Sequence, residues 1–143
     1  MASSYTEYFQ LNQWAAEDPV LREDFNADNA KLDKVIPRIV TGTYTGDGTA
    51  DRPIYLGFRP KAVLLFPEDG TTCFYYCPPN YFTCQGGLIL DGYPLRLKND
   101  RCNIICAEIT DTGFAVKIFS DQSKPANIAP NRNGTVYHYL ALA

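Results

Sequence analysis

Two pairs of cysteines share one spacing, Cys73 with Cys77 and Cys102 with Cys106, and a fifth, Cys84, lies between the pairs. Four residues apart in an extended segment, both members of a pair face the same side. If the two segments were neighbours, four sulfurs would converge. Structural zinc, however, takes its cysteines from tight C-x2-4-C turns rather than from opposite ends of a strand, and cysteine is a common buried filler. Core filling is therefore the expected role, ahead of a disulfide or a metal, and no metal ligand is assigned. His138 is the only histidine. Alternation sets it on a face with Val136 and Leu140, with Tyr137 and Tyr139 opposite, and no G-x-S-x-G nucleophile turn accompanies it. A structural histidine is expected. Asp91, Asp100, Glu108 and Asp111 fall in or beside turns, where acidic residues are ordinary, and none forms a convincing two-carboxylate pair. There is no Walker loop, and "GTYTGDG" reads as a turn rather than a phosphate cradle. No catalytic residue, no cofactor and no enzyme activity are expected.

The segment "CFYYCPPNYFTC", Cys73 to Cys84, is the most unusual in composition. One reading puts its rings in the core, with the prolines ending an edge strand. The other makes it a recognition surface. There Tyr76, Tyr81 and Phe82 present flat faces to a sugar or a protein, and Asn80 and Gln85 supply hydrogen bonds. A second loop, with Asn127, Asn131, Arg132 and Asn133, is weaker, because Asn and Gly are common in turns.

These residues need elements to hold them. Before Pro37, "EDPVLREDFNADNAKLDKVI" has helical grammar: Asp18 suits the cap, Pro19 the first helical position, and Glu23, Asp24, Lys31 and Lys34 fit the helix dipole. Leu21, Phe25, Leu32 and Val35 form an a/d-like seam interrupted by Asp28. About 18 residues would make a rod of roughly 27 Å. Such a helix is marginal alone, so the seam packs either on the C-terminal domain or against copies of itself. After Pro37 the pattern turns to period two with turn punctuation. Strands are expected in "RIVTGTYT", "PIYLGF", "AVLLF", "TCFYYC", "GLIL", "PLRL", "CNIICAEIT", "FAVKIF" and "TVYHYLALA". "DTG" marks a hairpin, with Gly113 suited to positive φ. The stretches "PPNYFTCQGG" and "SDQSKPANIAPNRNG" read as irregular. The fold expected is mainly β: an antiparallel β-sandwich over 38–143, preceded by an attachment segment and oligomerisation helix over 1–37.

The totals set further bounds. The chain has 143 residues, a net charge of −3 and five cysteines, and a sequence pI near 5.0. An acidic balance disfavours broad attraction to nucleic acid or anionic membrane, and no apolar run is long enough for membrane insertion. The odd cysteine count, with no secretory signal at the start, argues against a disulfide framework and for synthesis in the cytoplasm.

Three sets of residues carry a resemblance. "YFQLNQWAAEDPVLREDFNADNAKLDKVI", with W-x-x-x-D and R-E-D-F-N-x-D-N-x-K, resembles the N-terminal segment of small tail-fibre or receptor-binding proteins of phages and prophages of Gram-positive bacteria. "TGTYTGDGTADRPIYLGFRPKAVLLF", with G-x-Y-x-G-(D/N)-G and R-x-I-x-L-G-F-x-P-x-x-V, resembles the opening of their β-sandwich head. "GTVYHYLALA" resembles its close, G-x-x-Y-x-Y-x-A. Cys73 to Arg101 carries no such match. Heads of this kind are similar to the H-type lectin sandwich, which is often trimeric. The resemblance implies a virion protein made in the host bacterial cytoplasm, a homotrimer joined through Leu21, Phe25, Leu32 and Val35, and partners among other tail or baseplate proteins. Its job would be non-covalent recognition of a host cell-surface polysaccharide. A connector that touches no receptor, or a polysaccharide depolymerase, is the alternative.

Overall fold

The computed structural model describes residues 2–76, 81–100, 102–121 and 126–143. The chain divides into two compact units, Met1–Arg38 and Ile39–Ala143. It is mainly β, with several antiparallel sheets and one short helix.

In the first unit, β1 (Ser4–Tyr5) and β2 (Asn12–Gln13) pair antiparallel, and α1 spans Arg22–Val35. The helix starts later than its sequence suggests. Leu21 occupies the N-cap position without a side-chain bond. Asp18 is engaged elsewhere: its carboxylate accepts from the backbone N–H of Ser3 at 2.9 Å, the Ser3 hydroxyl at 2.5 Å and the N–H of Ala15 at 2.8 Å. An anion already holding three donors closes the N-terminal turn instead of capping. The 14-residue helix is therefore a rod of about 21 Å. Glu23, Asp24 and Lys34 sit at the ends the dipole favours. Ile36 is extended, as the residue before a proline prefers, while its N–H still bonds the Leu32 carbonyl at 2.9 Å.

Asp28 breaks the apolar seam for a reason visible within this unit. It is buried, and its carboxylate accepts from the backbone N–H and the side-chain amide of Asn12, both at 2.9 Å, and from Lys31 at 3.2 Å. The middle of the seam is thus tied to β2. Phe25 packs on Trp14 with ring centroids 5.1 Å apart. Leu21, Phe25 and Val35 remain about half exposed, and Leu32 is half-buried.

The second unit contains β3 (Ile39–Thr45), β4 (Asp51–Tyr55), β5 (Ala62–Pro67), β6 (Cys73–Tyr76), β7 (Tyr81–Cys84), β8 (Gly87–Leu90), β9 (Leu95–Asn99), β10 (Cys102–Thr110), β11 (Gly113–Lys117), β12 (Phe119–Asp121), β13 (Ala126–Ile128) and β14 (Val136–Leu142). They form three four-stranded sheets, β3-β14-β5-β8, β4-β11-β10-β9 and β12-β13-β7-β6. All pairs are antiparallel except β13 with β7. Both β7 and β13 lie in stretches that read as irregular. Three or four residues are too few to display a period, and their pairing is set by distant chain. "GLIL" and "PLRL" do flank a turn, closed by a Leu90–Tyr93 bridge, yet β8 and β9 belong to different sheets.

Period two fixes what each sheet buries. Tyr44, Val63, Leu65, Ile89, Tyr137 and Ala141 from the first sheet meet Ala107, Phe114 and Val116 from the second in one core. A smaller core joins Cys84 and Ile128 of the third sheet to Leu97 and Cys106 of the second. Gly113 has no positive φ, contrary to its sequence reading. A β-carbon there would lie 2.0 Å from the Ile54 carbonyl oxygen, so glycine is required by the close approach of β4.

Candidate functional site

Among the described residues β6 is an edge strand, bonded only to β7. The backbone N–H of Gln85 donates to the Thr72 carbonyl directly across at 2.7 Å. Bonded and non-bonded rungs alternate in an antiparallel ladder, so Cys73–Cys84 and Tyr75–Phe82 are the close, non-bonded rungs, on one face. The Tyr75 and Phe82 rings meet there with centroids 4.7 Å apart and planes at 45°, while remaining 52% and 37% exposed. A tilted ring pair of this kind contributes about 0.5–1.5 kcal/mol beyond its burial. Phe82 thus occupies the surface expected of it, and Tyr75 joins it, a partner identified by register and not by composition. Gln85 does not. It is 7% exposed, and its amide donates to Thr71 Oγ1 at 2.8 Å, closing the base of the hairpin instead of facing a ligand. Tyr76 and Tyr81 belong to the strands by backbone, their side chains lying outside the described set, and Asn80 lies outside the described residues.

The same face carries the cysteines, in a grouping different from the spaced pairs. Cys73 stands opposite Cys84, and Cys84 interacts with both Cys73 and Cys106, while its thiol donates to the Gly86 carbonyl at 3.8 Å and that of Cys106 to the Ile104 carbonyl at 3.7 Å. The neighbouring Cys106 sulfur, together with burial, pushes the Cys84 thiol up to about 12, against the opposing effect of Cys73. The neighbouring Cys84 sulfur, and burial, raise Cys73 as well. Cys84 and Cys106 are core fillers, as expected; Cys73 is exposed. Cys77 lies outside the described residues. Among the described residues no group of three or more His, Cys, Asp or Glu is placed to hold a metal ion.

A second feature lies on the outer face of the β3-β14-β5-β8 sheet. Register puts Ile39, Thr41 and Thr43, then His138, Leu140 and Leu142, then Ala62, Leu64 and Phe66, then Leu88 and Leu90 on this side. None is acidic, lysine or arginine. A groove of about 420 Å³ runs among Thr41, Thr43, Leu64, Phe66, His138 and Leu140. His138 lies on the face that alternation gives it, between Thr43 and Phe66, and is exposed where a structural histidine is expected.

Three of the four carboxylates, Asp91, Asp111 and Glu108, are in ion pairs. Asp91 and Asp111 both bind the Arg59 guanidinium, Asp91 at 2.7 Å, and Arg59 holds the Asp91 carboxyl below its usual range. Glu108 pairs with Lys117 at 2.8 Å. Held by Arg59, the Asp91 carboxylate stays ionised, which is the wrong state for donating a proton to a leaving group.

The Asn-rich loop has a structural role that composition did not suggest. Asn131 is fully buried. Its amide donates to Asp47 at 2.7 Å and to the Thr49 carbonyl at 3.0 Å, and its oxygen accepts from the Asp47 N–H at 3.2 Å and Arg52 at 3.3 Å. The Tyr44 and Tyr137 hydroxyls donate to the carbonyls of Pro130 and Ala129. A β-carbon on Gly46 would lie 2.1 Å from the Arg132 carbonyl oxygen, so the two loops can close only with glycine there. "TGDGT" is therefore a strut that grips the last loop.

No protein family, curated protein or solved structure matches the chain in comparisons with all three.

Proposed function

We propose that the chain is a receptor-binding subunit of a phage or prophage tail fibre, whose second unit is a sandwich head that recognises a host cell-surface glycan without covalent chemistry. The observation that carries this reading is the exposed Tyr75–Phe82 ring pair on an edge hairpin. Flat apolar faces in water are what the C–H faces of a sugar ring stack on, and two rings held by a ladder lose little freedom when they bind. The first unit would gather three copies through Leu21, Phe25, Leu32 and Val35, three of which keep about half their surface exposed. Linked heads convert weak contacts into avidity through an effective concentration in the mM range. The chain would act on the virion after assembly in the host cytoplasm.

The test is adsorption of labelled protein to Gram-positive host cells. Tyr75→Ala with Phe82→Ala should lose at least about tenfold in binding, the equivalent of about 1.4 kcal/mol, while the protein still folds with a melting temperature lowered by several degrees. A double variant that binds as well as the parent would reject the ring pair as the site.

One observation favours a connector instead. The outer face of the β3-β14-β5-β8 sheet is apolar, with Ile39, Leu88, Leu90 and Leu140 exposed, and such a face suits another protein better than a sugar. A glycan array that stays blank, together with capture of tail or baseplate proteins from a lysate, would select that reading.

A further inference from the structure

Cys73 and Cys84 occupy a non-bonded rung of the β6–β7 ladder, where facing Cα atoms lie about 4.5 Å apart. That falls within the roughly 4.4–6.8 Å spanned by disulfides. The next rung on the same face is the Tyr75–Phe82 ring pair. Cys73 is exposed to solvent, whereas Cys84 and Cys106 are fully buried.

We propose that Cys73 and Cys84 form a reversible redox staple that fixes the edge strand β6, and with it the Tyr75–Phe82 pair, when the protein meets a low-molecular-weight disulfide. The accessible Cys73 thiolate attacks one sulfur of that disulfide, forming a mixed disulfide and releasing one small thiol. The Cys84 thiolate then attacks the Cys73 sulfur, forming the Cys73–Cys84 bond and releasing the second small thiol. Two protein thiols are oxidised and one disulfide reduced. The two protons lost by the cysteines end on the two departing thiols.

The order follows from access: of the three grouped sulfurs, only Cys73 belongs to an exposed residue. Cys106 of β10 packs with Cys84 in the smaller core and is fully buried, where a small oxidant has no route to it. The neighbouring sulfurs and burial raise both thiols, so closure should quicken as pH rises. The mechanical effect follows from topology. β6 is four residues long and, among the described residues, held from one side only, so it is the kind of element that opens locally. A covalent rung at one end removes much of that freedom.

The experiment treats the whole protein with oxidised glutathione at pH 8.5. It reads the linkage by peptide mass mapping and the hairpin by amide hydrogen exchange at Phe74 and Thr83, which face each other on the bonded rung. The expected result is a Cys73–Cys84 linkage, reversed by dithiothreitol, with exchange at both amides slowed about tenfold. Cys73→Ser, at an exposed position, should show neither change. A linkage of Cys84 to Cys106 or Cys77, no linkage at all, or a linkage that leaves exchange unaltered would overturn the proposal. Both readouts use no ligand, so they stand or fall apart from glycan recognition.

Discussion

Asn131 presents no atom to solvent, yet it is an amide satisfied on both its nitrogen and its oxygen. Removing it takes a partner from the Thr49 carbonyl, Arg52 and the Asp47 N–H, although Asp47 and Thr49 are exposed and Arg52 keeps Asp47 and the Thr45 carbonyl. Asn131→Ala should therefore cost about 1–2 kcal/mol, seen as a fall in melting temperature of roughly 5 °C. Asp47 makes a pH prediction. The Thr49 hydroxyl and N–H, and then Asn131, hold its carboxyl at about 2, below the ordinary 3.8. A depressed carboxylate gives stability that is complete above the unfolded value and is lost as pH falls through the folded one. The urea midpoint should thus drop between about pH 4 and pH 2, and Asp47→Asn should flatten that drop. A parallel slope in the variant would remove Asp47 from the account. The residues behind the resemblance now have physical roles. Tyr44, Val63, Tyr137 and Ala141 are core, while Gly46, Asp47 and Arg52 build the loop strut. Those motifs encode the frame of the second unit, and the ring pair lies in the stretch they leave unmatched.

At the scale of elements, the helix shows how far a seam can be read from spacing. The positions do form a stripe, but Asp28 in its middle is tied to Asn12 of β2, and Phe25 leans on Trp14. The ends of the stripe are what remain for another copy. Leu21→Asp with Val35→Asp therefore tests association without breaking the packing within the unit. Light scattering should then return the mass of a single 16.0 kDa chain, and an unchanged assembly would remove the seam from the proposal. Strand order is beyond the reach of spacing for a similar reason. β13 adds beside β7 in parallel from more than forty residues away, and nothing local in "ANI" announces that pairing. "PNYFTC" reads as irregular because Asn and Pro dominate its start, although Tyr81 to Cys84 run along the ladder of β6.

Taken whole, the molecule is two units with very different means of support. The second has two cores shared among three sheets, whereas the first has one helix and a two-residue ladder. A protein cut to residues 39–143 should keep a cooperative thermal transition close to that of the parent, while residues 1–38 alone should show little helix by circular dichroism. A non-cooperative melt of the larger piece would mean that the second unit is not self-sufficient. The division near Pro37, the β class of the chain beyond it, the alternation around His138 and the burial of Cys84 and Cys106 were all determined by the sequence itself. They depend on period, breaker residues and side-chain polarity, which act over a few neighbours. The grouping of Cys73 with Cys84 and Cys106, the pairing of Tyr75 with Phe82, the withdrawal of Gln85 and the strut at Asn131 were decided by tertiary structure alone. Each depends on which rung faces which, and register between strands is a property of the assembled sheets and not of any one segment.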